Sequence, residues 1–154
     1  MIAVLQRVKR AAVNVDGSVV GKCGEGLYVL LGVSREDTER DAEALAEKVV
    51  NLRIFTDENG KMNLSLVDID GEMLVVSNFT LLASYRKGKR PDYMSAASPD
   101  EADRLYRYFT ELCTNKVKSV ETGSFGAHMI TDMQTDGPVT IVMDSKILLG
   151  PKNN

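Results

Sequence analysis

The dipeptide Gly137-Pro138 constrains the fold of this chain more than any other feature. It lies between two apolar, strand-like runs, residues 127–134 and 139–144. Proline lacks an N–H and fixes φ, so it sits badly between strands that must pair. In Asp136-Gly137-Pro138-Val139-Thr140 it follows a glycine. That pair can hold a defined backbone shape and leave carbonyl oxygens bare. An ordinary turn ahead of a strand would suit the same residues.

The chain has 154 residues, a length that fits one domain, and 44% of them are apolar, enough for a core. No apolar run approaches the roughly 18 residues a membrane span needs. Met1-Ile2-Ala3-Val4-Leu5 is too short for a signal peptide and has no basic region before it. Cys23 and Cys113 form no C-x-x-C pair, which points to a reduced, cytoplasmic protein with both thiols as small core or surface residues. A net charge of −3 argues against coating nucleic acid over a broad face and leaves a local grip open.

Residues 1–33 read as strands. One begins at Ile2-Ala3-Val4-Leu5, residues 12–15 alternate, and Asp16-Gly17 is a hairpin turn with Val19-Val20 returning. Residues 27–33 are almost continuously apolar, so that strand is expected to be buried on both faces. Asp37 or Thr38 can cap a helix running to about Leu52, with Ala42, Leu45, Ala46 and Val49 on one stripe. Asp57-Glu58-Asn59-Gly60 is a turn, and residues 73–77 form a short buried strand. Ser98, Pro99 and Glu101 mark the start of a second helix as N-cap, first helical residue and third after the cap. Ala102, Leu105, Phe109 and Leu112 follow at helical spacing. Residues 117–121, 127–134 and 139–144 read as strands, and the tail from Lys146 to Asn154 as partly mobile. The order predicts a mixed sheet, or two sheets, with helices on one side.

The familiar catalytic kits are missing. His128 is the one histidine, placed in a strand-like run, and an isolated histidine is more often packed or at the surface. No His/Cys cluster has zinc spacing, and no dinucleotide loop, P-loop or G-x-S-x-G elbow is present. Hydroxyls and backbone remain. Ser77, Asn78, Phe79 and Thr80 end a buried strand, where small polar residues can leave main-chain N–H groups free for an anion or a carbonyl oxygen. A hydrogen-bonded strand terminus is the plainer account of the same spacing. The following loop carries Arg86, Lys87, Lys89 and Arg90 around Gly88 and ends at Pro91. Such a run is usually only solvated. Beside a site of hydroxyls and amides it is a plausible phosphate contact.

Together these segments resemble the D-aminoacyl-tRNA deacylases over essentially the whole length. The resemblance rests on Met1-Ile2-Ala3-Val4-Leu5-Gln6-Arg7-Val8, Leu31-Gly32-Val33, Leu52-Arg53-Ile54-Phe55 and Lys61-Met62-Asn63. It continues in Phe79-Thr80-Leu81, Arg86-Lys87-Gly88, Phe125-Gly126-Ala127 and Gly137-Pro138-Val139-Thr140. Each motif is weak alone; their order and spacing are specific. Two positions depart from the family pattern: Asn78 replaces the usual glutamine, and Thr135 the usual asparagine. Both keep a hydrogen-bonding side chain, and Asn78 loses a methylene of reach.

The resemblance implies a three-layer α/β/β fold, with mixed, mostly antiparallel sheets and two main helices on one side. It implies a homodimer that hydrolyses the ester joining a D-amino acid to the 3′ end of tRNA, with glycyl-tRNA as a second substrate. It also implies that Gly137-Pro138 is cis and reaches into the partner subunit's site, where its carbonyl oxygens would exclude an L side chain. Backbone N–H groups at Asn78, Phe79 and Thr80 would polarise the ester carbonyl, water would attack, and the ribose 2′-OH would assist. No metal, nucleotide or other cofactor and no membrane partner is expected. Two rivals stand beside this reading: another ester or amide hydrolase with Thr80 as nucleophile, and a non-catalytic RNA-binding module working through the 86–90 loop.

Overall fold

A 14-residue strand, β1 (Ile2–Val15), organises the molecule. In the computed structural model, which describes residues 1–151, it is followed by β2 (Ser18–Cys23), β3 (Gly26–Gly32) and α1 (Glu39–Asn51). Then come β4 (Phe55–Thr56), β5 (Met62–Leu64), β6 (Glu72–Ser77), a 3₁₀ helix (Phe79–Leu82) and α2 (Pro99–Thr114). The chain closes with β7 (Ser119–Thr122), β8 (Ile130–Asp144) and α3 (Ser145–Leu149). One edge of β1 pairs antiparallel with β3 and then with β2, while the other pairs with β8 almost end to end. β3–β6 and β6–β7 are parallel, so the sheet is mixed. β4 and β5 form a separate hairpin around the expected 57–60 turn.

The alternation along β3 divides the interior. Leu27, Val29 and Leu31 face Ala42, Leu45 and Val49 of α1 and Leu105 and Phe109 of α2. Tyr28 and Leu30 turn the other way, to a smaller core with Val8, Val13, Cys23, Leu74 and Val76. The strand is therefore buried on both faces, as its apolar run predicted. Helices cover one side, and the second half of β1 with β2 folds over the other, giving the α/β/β layering. The fold-over is tight: a Cβ at Gly21 would lie 2.1 Å from the Thr122 carbonyl oxygen.

Local signals set both main helices. Thr38 is the N-cap of α1, and its N–H donates to the Asp41 carboxylate at 2.9 Å. α2 starts at Pro99 after Ser98, as expected, but the Ser98 side chain makes no capping bond. The other half of a capping box is missing as well, since the Glu101 carboxylate accepts from Arg104 Nε at 2.9 Å.

Four expectations are corrected. Residues 127–134 are not one strand: β8 begins at Ile130, and the Ala127 N–H donates to Ser124 in a turn where Gly126 has φ +77°. The two runs flanking Gly137-Pro138 are not separate strands either, because β8 continues through the dipeptide as a bulge. The predicted strand at 117–121 lies instead at Ser119–Thr122. The segment expected to form a partly mobile tail begins as α3, and residues 152–154 lie outside the described residues.

α3 is tied to the start of the chain. The buried Met1 ammonium pairs with Asp37 at 2.6 Å and donates to Ser145 Oγ at 2.8 Å. Ser145 donates onward to Asp41 at 2.6 Å. Burial works to raise the Asp41 pKa. Hydrogen bonds from Ser145 and Thr38, with the Met1 ammonium, outweigh it and hold the carboxyl below its ordinary value. A depressed folded-state pKa stabilises the fold above the unfolded-state value, and that contribution fades as pH falls through the folded one. Chemical denaturation of Asp41→Asn should therefore show a shallower loss of stability with acid below about pH 4 than the parent protein. Equal slopes would remove Asp41 from the acid response.

Candidate active site

The site forms where the parallel strands β3 and β6 end side by side. Leu31 pairs with Ser77, and the next N–H, that of Asn78, donates to the Leu31 carbonyl at 2.8 Å. The chain then leaves the sheet into the 3₁₀ helix. Gly32 makes room for this exit: a Cβ there would lie 3.0 Å from the Asn78 carbonyl oxygen and 2.6 Å from Leu82 Cδ2.

Asn78 caps the 3₁₀ helix with its side chain. Its Oδ1 accepts from the Thr80 N–H at 3.2 Å and from the Thr80 hydroxyl. Of the three N–H groups expected to face a substrate, Asn78 is thus bonded to β3 and Thr80 to Asn78. The Phe79 N–H has no acceptor among the described residues. Phe79 is 55% exposed as a residue, and its ring meets Tyr93 edge to face, with centroids 5.0 Å apart.

A cavity of about 740 Å³ opens here. Ser77, Asn78, Phe79 and Thr80 all line it, so the structure brings the four sequence-predicted residues together. Tyr28 and Thr131 form part of its wall and share a hydrogen bond of 3.0 Å. Burial pushes the Tyr28 phenol up, with the Thr131 bond opposing it. Sequence reasoning missed Tyr28. Its signal was a single polar handle inside a run expected to be buried on both sides. His128 and Phe125 line the cavity too, from the loop before β8.

Gly137 and Pro138 are elsewhere. They line no part of this cavity and sit in the β8 bulge, with the peptide bond between them cis. Arg7 holds the bulge from β1. Its Nε donates to the Asp136 carbonyl at 3.1 Å and pairs with the Asp136 carboxylate at 3.3 Å, while Nη1 donates to the Ile54 carbonyl at 2.7 Å. Arg7 entered the sequence reading only within the opening motif. Its signal was position: it shares the β1 face of Ala3 and Leu5, both fully buried, and a buried guanidinium must find partners.

Arg86, Lys87, Lys89 and Arg90 project from an exposed loop closed by paired Ser84–Asp92 backbone bonds of 2.8 and 2.9 Å. None of the four joins an ion pair among the described residues. The loop lies outside the cavity lining, and Tyr93 just beyond it lies within. Both thiols are buried; desolvation raises Cys23 to about 11 and Cys113 to about 12, which removes them as nucleophiles at neutral pH.

The chain is similar to known proteins along nearly its whole length. A D-aminoacyl-tRNA deacylase of Caldicellulosiruptor saccharolyticus is 59% identical over 146 residues, spanning 95% of this chain and 98% of the relative. One from Dehalococcoides mccartyi is 57% identical over 152 residues, spanning 99% of each. Among solved structures, a c-Myc DNA unwinding element binding protein superposes with a TM-score of 0.89 at 41% identity, covering 94% of this chain and 98% of that one. A probable eukaryotic D-amino acid tRNA deacylase shares the fold at a TM-score of 0.78 and 17% identity, covering 92% and 97%. The family model described as D-Tyr-tRNA(Tyr) deacylase matches residues 4–144, and the chain belongs to that family.

Proposed function

We propose that this protein is a carboxylic ester hydrolase that cleaves D-aminoacyl-tRNA to free tRNA and amino acid. The relatives' names supply the substrate class. The Phe79 N–H, without an acceptor in a cavity at the end of a rigid sheet, carries the chemistry. A fixed amide donor there can accept the developing oxyanion of an ester carbonyl without reorganising. An aminoacyl ester is already activated, so a water molecule helped by the neighbouring ribose 2′-OH suffices, and no cofactor is required.

In this reading Asn78 and Thr80 are positioning residues. Asn78 holds the turn that presents Phe79, and the Thr80 hydroxyl is a donor to Asn78. His128 lines the same cavity but makes no hydrogen bond to Thr80 among the described residues, which leaves a Thr80 nucleophile without a base. Thr80→Ala should keep the Phe79 amide and most of the activity, whereas a substrate lacking the 2′-OH should be cleaved far more slowly. A folded but inactive Thr80→Ala protein, with an acyl-enzyme trapped on the parent, would transfer the chemistry to Thr80.

Chiral selection we assign to a homodimer in the cytoplasm, the whole chain acting as one domain. The partner subunit's Gly137 and Pro138 would close the site, their carbonyl oxygens filling the space an L side chain needs. Two observations support this: the dipeptide lines no part of the cavity of its own subunit, and β8 exposes Ile130 (61%) and Val142 (70%) on either side of it. Purified protein should cleave D-tyrosyl-tRNA, D-alanyl-tRNA and glycyl-tRNA and refuse L-alanyl-tRNA, with the activity sedimenting as a dimer. A thousandfold preference corresponds to about 4 kcal/mol of differential transition-state binding, within reach of a steric clash plus desolvated oxygens. Efficient cleavage of L-alanyl-tRNA would overturn the selection scheme.

The 86–90 loop serves affinity. Neutralising Arg86, Lys87, Lys89 and Arg90 together should raise KM with little change in kcat, and reduce the salt slope of binding by about 0.7 per lost phosphate contact. An unchanged KM and slope would make the loop a solvated one.

A further inference from the structure

A second cavity, of about 440 Å³, lies along α2, and Phe125 forms a wall of both it and the main one. The two adjoin through consecutive helix residues: Ala102 lines the first and Asp103 the second. Asp103 is distinctive. Its Oδ2 accepts from Arg107 Nε at 2.8 Å, while its Oδ1 is shielded from solvent and has no hydrogen-bond partner. A covered, unpaired carboxylate oxygen is costly, so a turn of the carboxylate that brings Oδ1 to a donor in the groove would satisfy it. Arg107 is 76% exposed in its side chain, and its two terminal nitrogens have no partner among the described residues.

The pair thus offers one acceptor beside two parallel donors. That is the complement of a cytosine Watson–Crick edge, which presents the N4 amino donor and then the N3 and O2 acceptors. Uracil presents O4 where cytosine has its amine, and would set a carbonyl oxygen against the carboxylate. Glu111 also lines the groove, which disfavours a backbone phosphate and leaves a neutral base edge as the better occupant. Every mature tRNA ends in cytidine, cytidine, adenosine. With the aminoacyl ester at Phe79 and the terminal adenosine in the same cavity, the chain would next pass Phe125.

We propose that the Asp103–Arg107 groove on α2 is a base-reading subsite for the cytidine preceding the terminal adenosine. The proposal rests on the deacylase reading above. It makes the enzyme a reader of the universal tRNA end as well as of amino-acid chirality.

The test uses the full-length protein and two minihelix RNAs charged with D-tyrosine, one ending normally and one with the penultimate cytidine replaced by uridine. The parent protein should favour the normal end by about tenfold or more in kcat/KM, mostly through KM. Asp103→Asn and Arg107→Gln should each shrink that preference to about twofold or less. Both should match the parent on D-tyrosyl-adenosine, which lacks the cytidine and so reports on folding and chemistry. Equal cleavage of both minihelices by the parent, or an undiminished preference in both variants, would overturn the subsite. Failure to cleave either D-charged minihelix or D-tyrosyl-adenosine would instead sink the deacylase reading.

Discussion

The Arg7 guanidinium holds together the part of the fold that most needs support. Gln6 and Val8 are two positions apart on β1, yet their β8 partners, Thr140 and Thr135, are five apart. The surplus residues must leave the ladder, and with them go backbone carbonyls that β1 can no longer serve. Arg7 reaches two orphaned acceptors, the Asp136 and Ile54 carbonyls, and its charge is balanced by the Asp136 carboxylate. Each carbonyl left without a donor would cost about 1–3 kcal/mol. One side chain therefore fixes the bulge on β8 and ties it to the segment just after α1.

The bulge and the 3₁₀ helix solve the same problem at two places. Each interrupts a ladder, and each is stabilised by a neighbouring side chain that takes up the displaced backbone groups. At the bulge the donor is Arg7; at the 3₁₀ helix the acceptor is Asn78. The consequence differs. Asn78 engages the Thr80 N–H and hydroxyl and leaves the Phe79 N–H as the group available to a ligand. A site made this way needs little from side-chain chemistry. That is why the absence of the usual catalytic motifs was uninformative about whether the chain is an enzyme.

Legibility in the sequence followed locality. The β3 run, the hairpin at Asp16-Gly17 and the Ser98-Pro99 helix start depend on near neighbours, and all three were readable. So was the convergence of Ser77, Asn78, Phe79 and Thr80, because four consecutive residues cannot be far apart. What failed depended on partners distant in sequence. Pro138 looked like a strand boundary because the accommodating bulge is visible only from β1. Residues 127–129 are apolar enough for a strand but form the cavity wall, since Gly126 turns the chain there. The Tyr28–Thr131 contact joins residues more than a hundred positions apart. The family resemblance carried the three-layer fold and the cis peptide, neither of which spacing alone could supply.

Charge placement shows how an acidic chain can suit a polyanionic substrate. The net charge is −3, and many cations are neutralised where they stand: Lys9 by Glu25, Arg104 by Glu39 and Glu101, Lys116 by Glu47, Lys146 by Glu36. The four cations of the 86–90 loop are not paired in this way among the described residues, and they follow the site in sequence by only a few positions. The loop thus places four cations within five positions, a local density of positive charge that the net value hides. A screening length of about 8 Å at physiological ionic strength confines the influence of that charge to its neighbourhood. An acidic chain can therefore still offer a polyanion one local point of attraction, which is what the proposed role of the loop in affinity requires.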